Sequence, residues 1–203
     1  RFGSTATART SVSSCNNKCP QGKWSSATGI TSSSECFKCT AGKWSDQTGI
    51  TADTNCSACS AGKWSNQVGL VSDNACTSCE KGRYSTAGEG QSLKEVCDNK
   101  CSAGRFSDQK GLTTNDDCKK CTAGKWSDQV GLVSDNDCTP CEKGRYSTAG
   151  DGQASEVCDN KCSTGRWSDQ ESRISGDDCK KCIAGKYLDE EGQSSNVSKL
   201  SIT

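Results

Sequence analysis

The sequence predicts a small disulfide-rich, irregular β fold: an elongated rod of nine tandem cysteine-rich repeats of about 20 residues, with no helix. Three observations predict it. The chain has 203 residues and 18 Cys, and the cysteines fall in nine close pairs at a nearly constant interval. Ile, Leu, Val and Phe together number only 22, too few for one ordinary core across the chain. A Gly, a basic residue and an aromatic recur at one fixed offset from the cysteines, whereas no stretch shows a helical apolar period.

The pairs are Cys15/Cys19, Cys36/Cys39, Cys56/Cys59, Cys76/Cys79, Cys97/Cys101, Cys118/Cys121, Cys138/Cys141, Cys158/Cys162 and Cys179/Cys182. Six are C-x2-C and three are C-x3-C, with 16 residues between successive pairs except for 17 between Cys79 and Cys97. Three residues after each second Cys stands a Gly, then Lys or Arg, then an aromatic: Trp24, Trp44, Trp64, Tyr84, Phe106, Trp126, Tyr146, Trp167 and Tyr187. Ser follows the aromatic in eight of the nine units. A polar turn ending in Gly comes next, followed in most units by Ile or Leu, as at Ile30, Ile50, Leu70, Leu112 and Leu132. Each unit therefore reads as a small hairpin whose core is one aromatic, one aliphatic and the sulfurs. The YSTAGEGQ and YSTAGDGQ units around Tyr84 and Tyr146 have no such aliphatic and are expected to have more open loops. Each unit should touch only its neighbours. The boundaries follow: residues 1–14 an N-terminal polar arm, 15–187 the nine repeats, 188–203 a C-terminal polar tail. Residues 60–121 nearly repeat as 122–182, a duplicated three-unit block.

One aromatic and one aliphatic supply about 4–5 kcal/mol of burial per unit. A disulfide closing a loop of this size stabilises by about 3 kcal/mol, a comparable amount. Reduced units should not hold. So many disulfides imply an oxidising, extracellular compartment, either secreted or as a cell-surface appendage.

Charge and composition exclude other classes. Lys+Arg and Asp+Glu are 25 each, so the basic excess of a nucleic-acid partner is missing. No run of 18 apolar residues occurs, so no membrane span is expected. The sequence starts with neither a signal peptide nor Met and reads as a mature or partial chain. There is no His, so the commonest general base is missing, and neither an enzyme nor a cofactor is expected. C-x2-C-x16-C-x2-C lies within zinc-ribbon spacing, but nine pairs do not divide into four-Cys sites, and no metal is expected. The acidic pairs Asp116/Asp117, Asp135/Asp137 and Asp177/Asp178 lack the loop of a calcium site and read as solvated turns. The basic residue before each aromatic could stack on a neighbouring unit's ring or lie exposed. Asn55 and Asn196 head the two N-glycosylation sequons, and glycans are expected partners; Asn196 is the better acceptor, since Asn55 precedes a Cys that must oxidise.

The segment Cys19–Trp24, C-P-Q-G-K-W, resembles the opening of tumour-necrosis-factor-receptor cysteine-rich modules, and the whole pattern is similar to ephrin-receptor-like cysteine-rich repeats over about residues 15–187. The receptor modules close a disulfide from their opening Cys to a Cys about one loop on. Residues three apart on an extended segment also point to opposite sides, so the two Cys of a pair should bond in opposite directions. Both imply Cys19–Cys36, Cys39–Cys56, Cys59–Cys76, Cys79–Cys97, Cys101–Cys118, Cys121–Cys138, Cys141–Cys158 and Cys162–Cys179. The rival is a crossed pattern within pairs of pairs, which leaves one pair of nine over. The first ladder strands Cys15 and Cys182, which become candidates for an intermolecular disulfide. The function expected is an extracellular structural repeat protein, a fibril or surface-filament subunit whose partner is itself, assembled head to tail. The alternative is a receptor or adhesin ectodomain that binds a protein ligand.

Overall fold

The computed structural model describes residues 16–196. The described chain is a rod-like row of hairpins, and a unit is taken to begin at the second Cys of each pair. Units 1 to 8 are residues 19–38, 39–58, 59–78, 79–100, 101–120, 121–140, 141–161 and 162–181; the ninth opens at Cys182.

Unit 2 shows how each forms. Lys43 N–H donates to the Thr40 carbonyl at 3.1 Å across a tight turn with Gly42 at φ 80°, a backbone shape that a side chain disfavours. Lys43–Trp44 then pairs antiparallel with Ser57–Ala58, in the register Lys43↔Ala58 and Trp44↔Ser57. The strand ends there because the Ser45 hydroxyl accepts the Gln47 N–H at 3.1 Å and turns the chain away. All eight complete units repeat this two-stranded hairpin. Among the described residues there is no α-helix; seven units insert one short 3-10 turn before the closing Cys, such as Asp53–Asn55. In four of these turns a hydroxyl and a carboxylate cap reciprocally, as Ser134 and Asp137 do. The acidic pairs are thus part of capped turns.

Eight disulfides close the eight units: Cys19–Cys36, Cys39–Cys56, Cys59–Cys76, Cys79–Cys97, Cys101–Cys118, Cys121–Cys138, Cys141–Cys158 and Cys162–Cys179. Their Cα atoms lie between 5.2 and 6.1 Å apart.

The aliphatic and the sulfurs meet inside a unit, as expected from the sequence, but the aromatic upon them comes from the preceding unit. Trp44 of unit 2 packs on Cys59, Cys76 and Leu70 of unit 3, and Tyr84 of unit 4 packs on Cys101, Cys118 and Leu112 of unit 5. Phe106 does the same against Cys121, Cys138 and Leu132. A 20-residue hairpin has no inside of its own, so its aromatic face is buried only by stacking.

The expectation of nearest-neighbour contacts also fails. A Cβ on Gly62 of unit 3 would collide with the carbonyl of Gly111 in unit 5, and Gly22, Gly42, Gly82, Gly104, Gly124 and Gly144 each face the unit two further on in the same way. The row is therefore wound closely enough that alternate units touch, and these glycines let one backbone lie on the other. The loops at Tyr84 and Tyr146 are no more open than the rest. Gly90 and Gly152 hold the positive φ and the inter-unit hydrogen bond of the other turn glycines, and the one extra residue is absorbed ahead of them.

Repeat structure continues past residue 187. Leu188 is buried, its carbonyl accepts Gly165 N–H, and Gln193 pairs with Trp167. The arm at residues 1–14, Cys15 and residues 197–203 lie outside the described residues.

Candidate functional site

The junction between units is the recurring surface of this protein, and three backbone hydrogen bonds define it. At the first junction Ser25 N–H donates to the Ile50 carbonyl at 3.2 Å, Gly49 N–H to the Cys19 carbonyl at 2.8 Å, and Gly22 N–H to the Ser45 carbonyl at 2.9 Å. The first two types recur at all eight junctions, the first with Arg or Gln in the aliphatic's place at four of them and the second with Ser172 in place of Gly at one. The aromatic of each unit also forms a lone parallel bridge to the next, Trp24↔Ile50 through Trp167↔Gln193. A lysine before the opening Cys completes the seat. The stems of Lys18, Lys38, Lys100, Lys120 and Lys161 lie over Gly49, Gly69, Gly131, Gly152 and Gly192.

In units 1 to 8 the basic residue ahead of the aromatic turns back onto its own unit and does not stack on a neighbour's ring. The Lys43 ammonium meets the Asp53 carboxylate at 2.7 Å, and Lys63–Asp73 and Lys125–Asp135 repeat the pair. Burial opposes the charged form of Asp53; the Lys43 ammonium, the Thr40 amide and the Thr40 hydroxyl outweigh it and hold the carboxyl below its ordinary range. Asp73 and Asp135 are held low by the same balance. Arg105, Arg145 and Arg166 reach the carbonyl of their unit's closing Cys instead. Among the described residues there is one cation–π contact, Lys180 over Trp167 at 4.7 Å, within a single unit. Cys39, Asp53 and Cys56 lie close together, but both sulfurs are in one disulfide and Asp53 is paired with Lys43, which leaves no set of metal ligands.

At the two ends of the described row the same groups stand open. Cys182 is free and half-buried, and Tyr187 is 78% exposed, the one repeat aromatic with no unit stacked on it. A Cβ on Gly165 or Gly185, equivalent to the buried glycines of earlier units, would meet nothing within 4 Å. At the other end Lys18, Cys19, Ile30, Cys36 and Thr48 line an open cavity of about 970 Å³. Of the remaining aromatics, Trp24, Trp44, Trp64, Trp126, Tyr146 and Trp167 are half-buried at junctions. Asn55 is exposed at the end of its 3-10 turn and Asn196 is half-buried.

The fixed Ser after the aromatic, buried in all eight complete units, and the fixed turn Gly are the junction residues to which the sequence assigns no role. Their constant offset was the available signal. Among the described residues no helix is long and apolar enough to cross a membrane. Eight disulfides in a chain this poor in apolar residues belong to an oxidising, extracellular setting. The chain is a tandem array of small cysteine-rich hairpins with one disulfide in each complete unit. In comparisons with protein-family models and with curated proteins, nothing matches it.

Proposed function

We propose that this protein is a non-catalytic extracellular structural element, a subunit that joins head to tail into a filament. The observation that carries the reading is the state of unit 9. Every other opening Cys bonds forward within its unit, but Cys182 is free and its unit is unclosed among the described residues. Cys15, in the sequence C-N-N-K-C, precedes Cys19 by the same C-x3-C spacing as Cys97 and Cys158 precede their partners, so Cys15 of a second copy supplies the missing closure. Joining the two thiols releases two electrons and two protons. An oxidised dithiol of the secretory compartment takes them up and leaves as two thiols. A heterologous contact of this kind does not close on itself and extends indefinitely.

Electrophoresis without reductant tests this. The oxidised 203-residue chain is expected to give a ladder of multiples that collapses to one band on reduction. A single band without reductant, with Cys15 and Cys182 both open to alkylation, overturns the covalent linkage. A second reading, a receptor or adhesin ectodomain, rests on the exposed Val68/Val71 and Val130/Val133 pairs, which recur in equivalent units and offer apolar contacts along the side of the rod.

A further inference from the structure

The two ends are not merely open; they carry complementary halves of the interior junction. Among the described residues, three groups on the C-terminal end make no backbone hydrogen bond: the amides of Gly185 and Leu188 and the carbonyl of Cys182. On the N-terminal end the matching groups likewise make no backbone hydrogen bond among the described residues: the carbonyls of Ser25 and Ile30 and the amide of Gly29. In the first interior junction the same positions bond as Gly22 to Ser45, Ser25 to Ile50 and Gly49 to Cys19. Gly29 already holds the φ of 73° that Gly49 uses for this purpose.

The apolar parts match too. Interior aromatics sit on the next unit's disulfide and aliphatic, as Trp44 does on Cys59–Cys76 and Leu70. Tyr187 has no such seat, and Cys19–Cys36 with Ile30 forms a seat with no aromatic upon it, at the mouth of the terminal cavity. The N-terminal end also carries a segment equivalent to the strand that unit 9 lacks. Asn17–Lys18 is equivalent to the second strands Asn99–Lys100 and Asn160–Lys161, and the Lys18 stem already lies on Gly49 as its counterparts lie on their glycines.

We infer that the C-terminal face of one copy docks on the N-terminal face of a second as a ninth junction. Tyr187 seats on Cys19, Cys36 and Ile30, and Lys186–Tyr187 pairs with Lys18 and Asn17 in the hairpin register. Three hydrogen bonds form: Gly185 N–H to Ser25, Leu188 N–H to Ile30, and Gly29 N–H to Cys182. The next copy's turn then covers Gly165, as Gly29 comes to lie where Gly111 lies over Gly62. The inference rests on the head-to-tail reading and adds a specific seat that holds without the intermolecular disulfide. The occupant is a second copy because the surface continues an interface the chain already makes eight times with itself.

Sedimentation velocity on the full chain tests it. With Cys15 alkylated throughout, Cys182→Ser cannot link covalently and is expected to associate with rising concentration. Cys182→Ser/Tyr187→Asp and Cys182→Ser/Ile30→Asp are each expected to sediment as monomers. Each double variant keeps one good face, so their mixture is expected to form dimers and nothing larger; that restoration also excludes misfolding as the cause of the loss. The seat is overturned if Cys182→Ser stays monomeric, if either aspartate leaves association unchanged, or if mixing restores nothing. Should the oxidised wild-type chain form covalent multiples in any of these cases, the head-to-tail reading stands and only the seat falls. Should the wild type remain a single band, both fall.

Discussion

A glycine that follows each opening Cys by three residues serves two purposes, and substitutions can separate them. Gly62 and Gly165 share the left-handed backbone, at φ 78° and 75°. In the monomeric Cys182→Ser/Tyr187→Asp background, where no second copy covers position 165, an Ala at Gly165 meets only open space, so it should cost about 1 kcal/mol, the ordinary penalty for a side chain in that region. An Ala at Gly62 also strikes the Gly111 carbonyl two units on, which should add about 1–3 kcal/mol. Thermal unfolding of the two variants measures the difference. Equal costs would mean that the alternate-unit contact contributes nothing. Position 172 shows what the fold tolerates: Ser172 holds a φ of 57° where the other units have Gly, and still donates to the Cys141 carbonyl at 2.9 Å.

At the scale of the single hairpin, the ion pair between the basic residue and the 3-10 turn gives a pH dependence. The carboxyls of Asp53, Asp73 and Asp135 are lowered in the folded chain. Their contribution is therefore complete above the unfolded carboxyl value near 4 and is lost as pH falls through the lower folded values. With partly exposed partners each pair is worth roughly 0.5–1 kcal/mol. Stability should be flat through neutral pH and decline only below about pH 4. Replacing all three by Asn should make that decline shallower without removing it, because Glu35 and Asp117 are lowered as well by their capping hydrogen bonds. The turn itself should survive, since Asn115 takes the same place in unit 5 and accepts Ser102 N–H at 2.9 Å. An unchanged acid limb in urea titrations would mean that the pairs are merely spatial. This element was largely legible in the sequence. Cys spacing, the fixed Gly-basic-aromatic run and the polar turns all act within 20 residues, where local chemistry decides. The partner of each basic residue was not legible, because it depends on how the 3-10 turn folds back over the hairpin.

Across the whole molecule, the features hidden in the sequence are those that depend on winding. Nothing in residues 59–62 says that Gly62 lies on Gly111, since that contact is set by the rotation between successive units. The shared core was hidden for the same reason: Trp44 and Leu70 belong to different hairpins. Junction quality nonetheless follows from residue type. The second, fourth and fifth junctions put Leu70, Leu112 and Leu132 under an aromatic, whereas the third puts Gln91 there and the last three put Gln153, Arg173 and Gln193. The Arg173 Nε is buried without a partner, a further cost at the seventh junction. Opening should therefore begin from the C-terminal units. Amide exchange is expected to be slowest at Ser85 and Ser107 and faster at Ser147 and Ser168, and Arg173→Leu should slow Ser147 about tenfold through the added apolar burial. Uniform protection along the row would contradict this gradient.

Whether the ends of the rod continue one another is visible in an electron micrograph of the oxidised 203-residue chain. Unbranched filaments of uniform width, many times longer than one chain, are expected. A field of separate short rods of single-chain length, at concentrations where Cys182 has been oxidised, would contradict it.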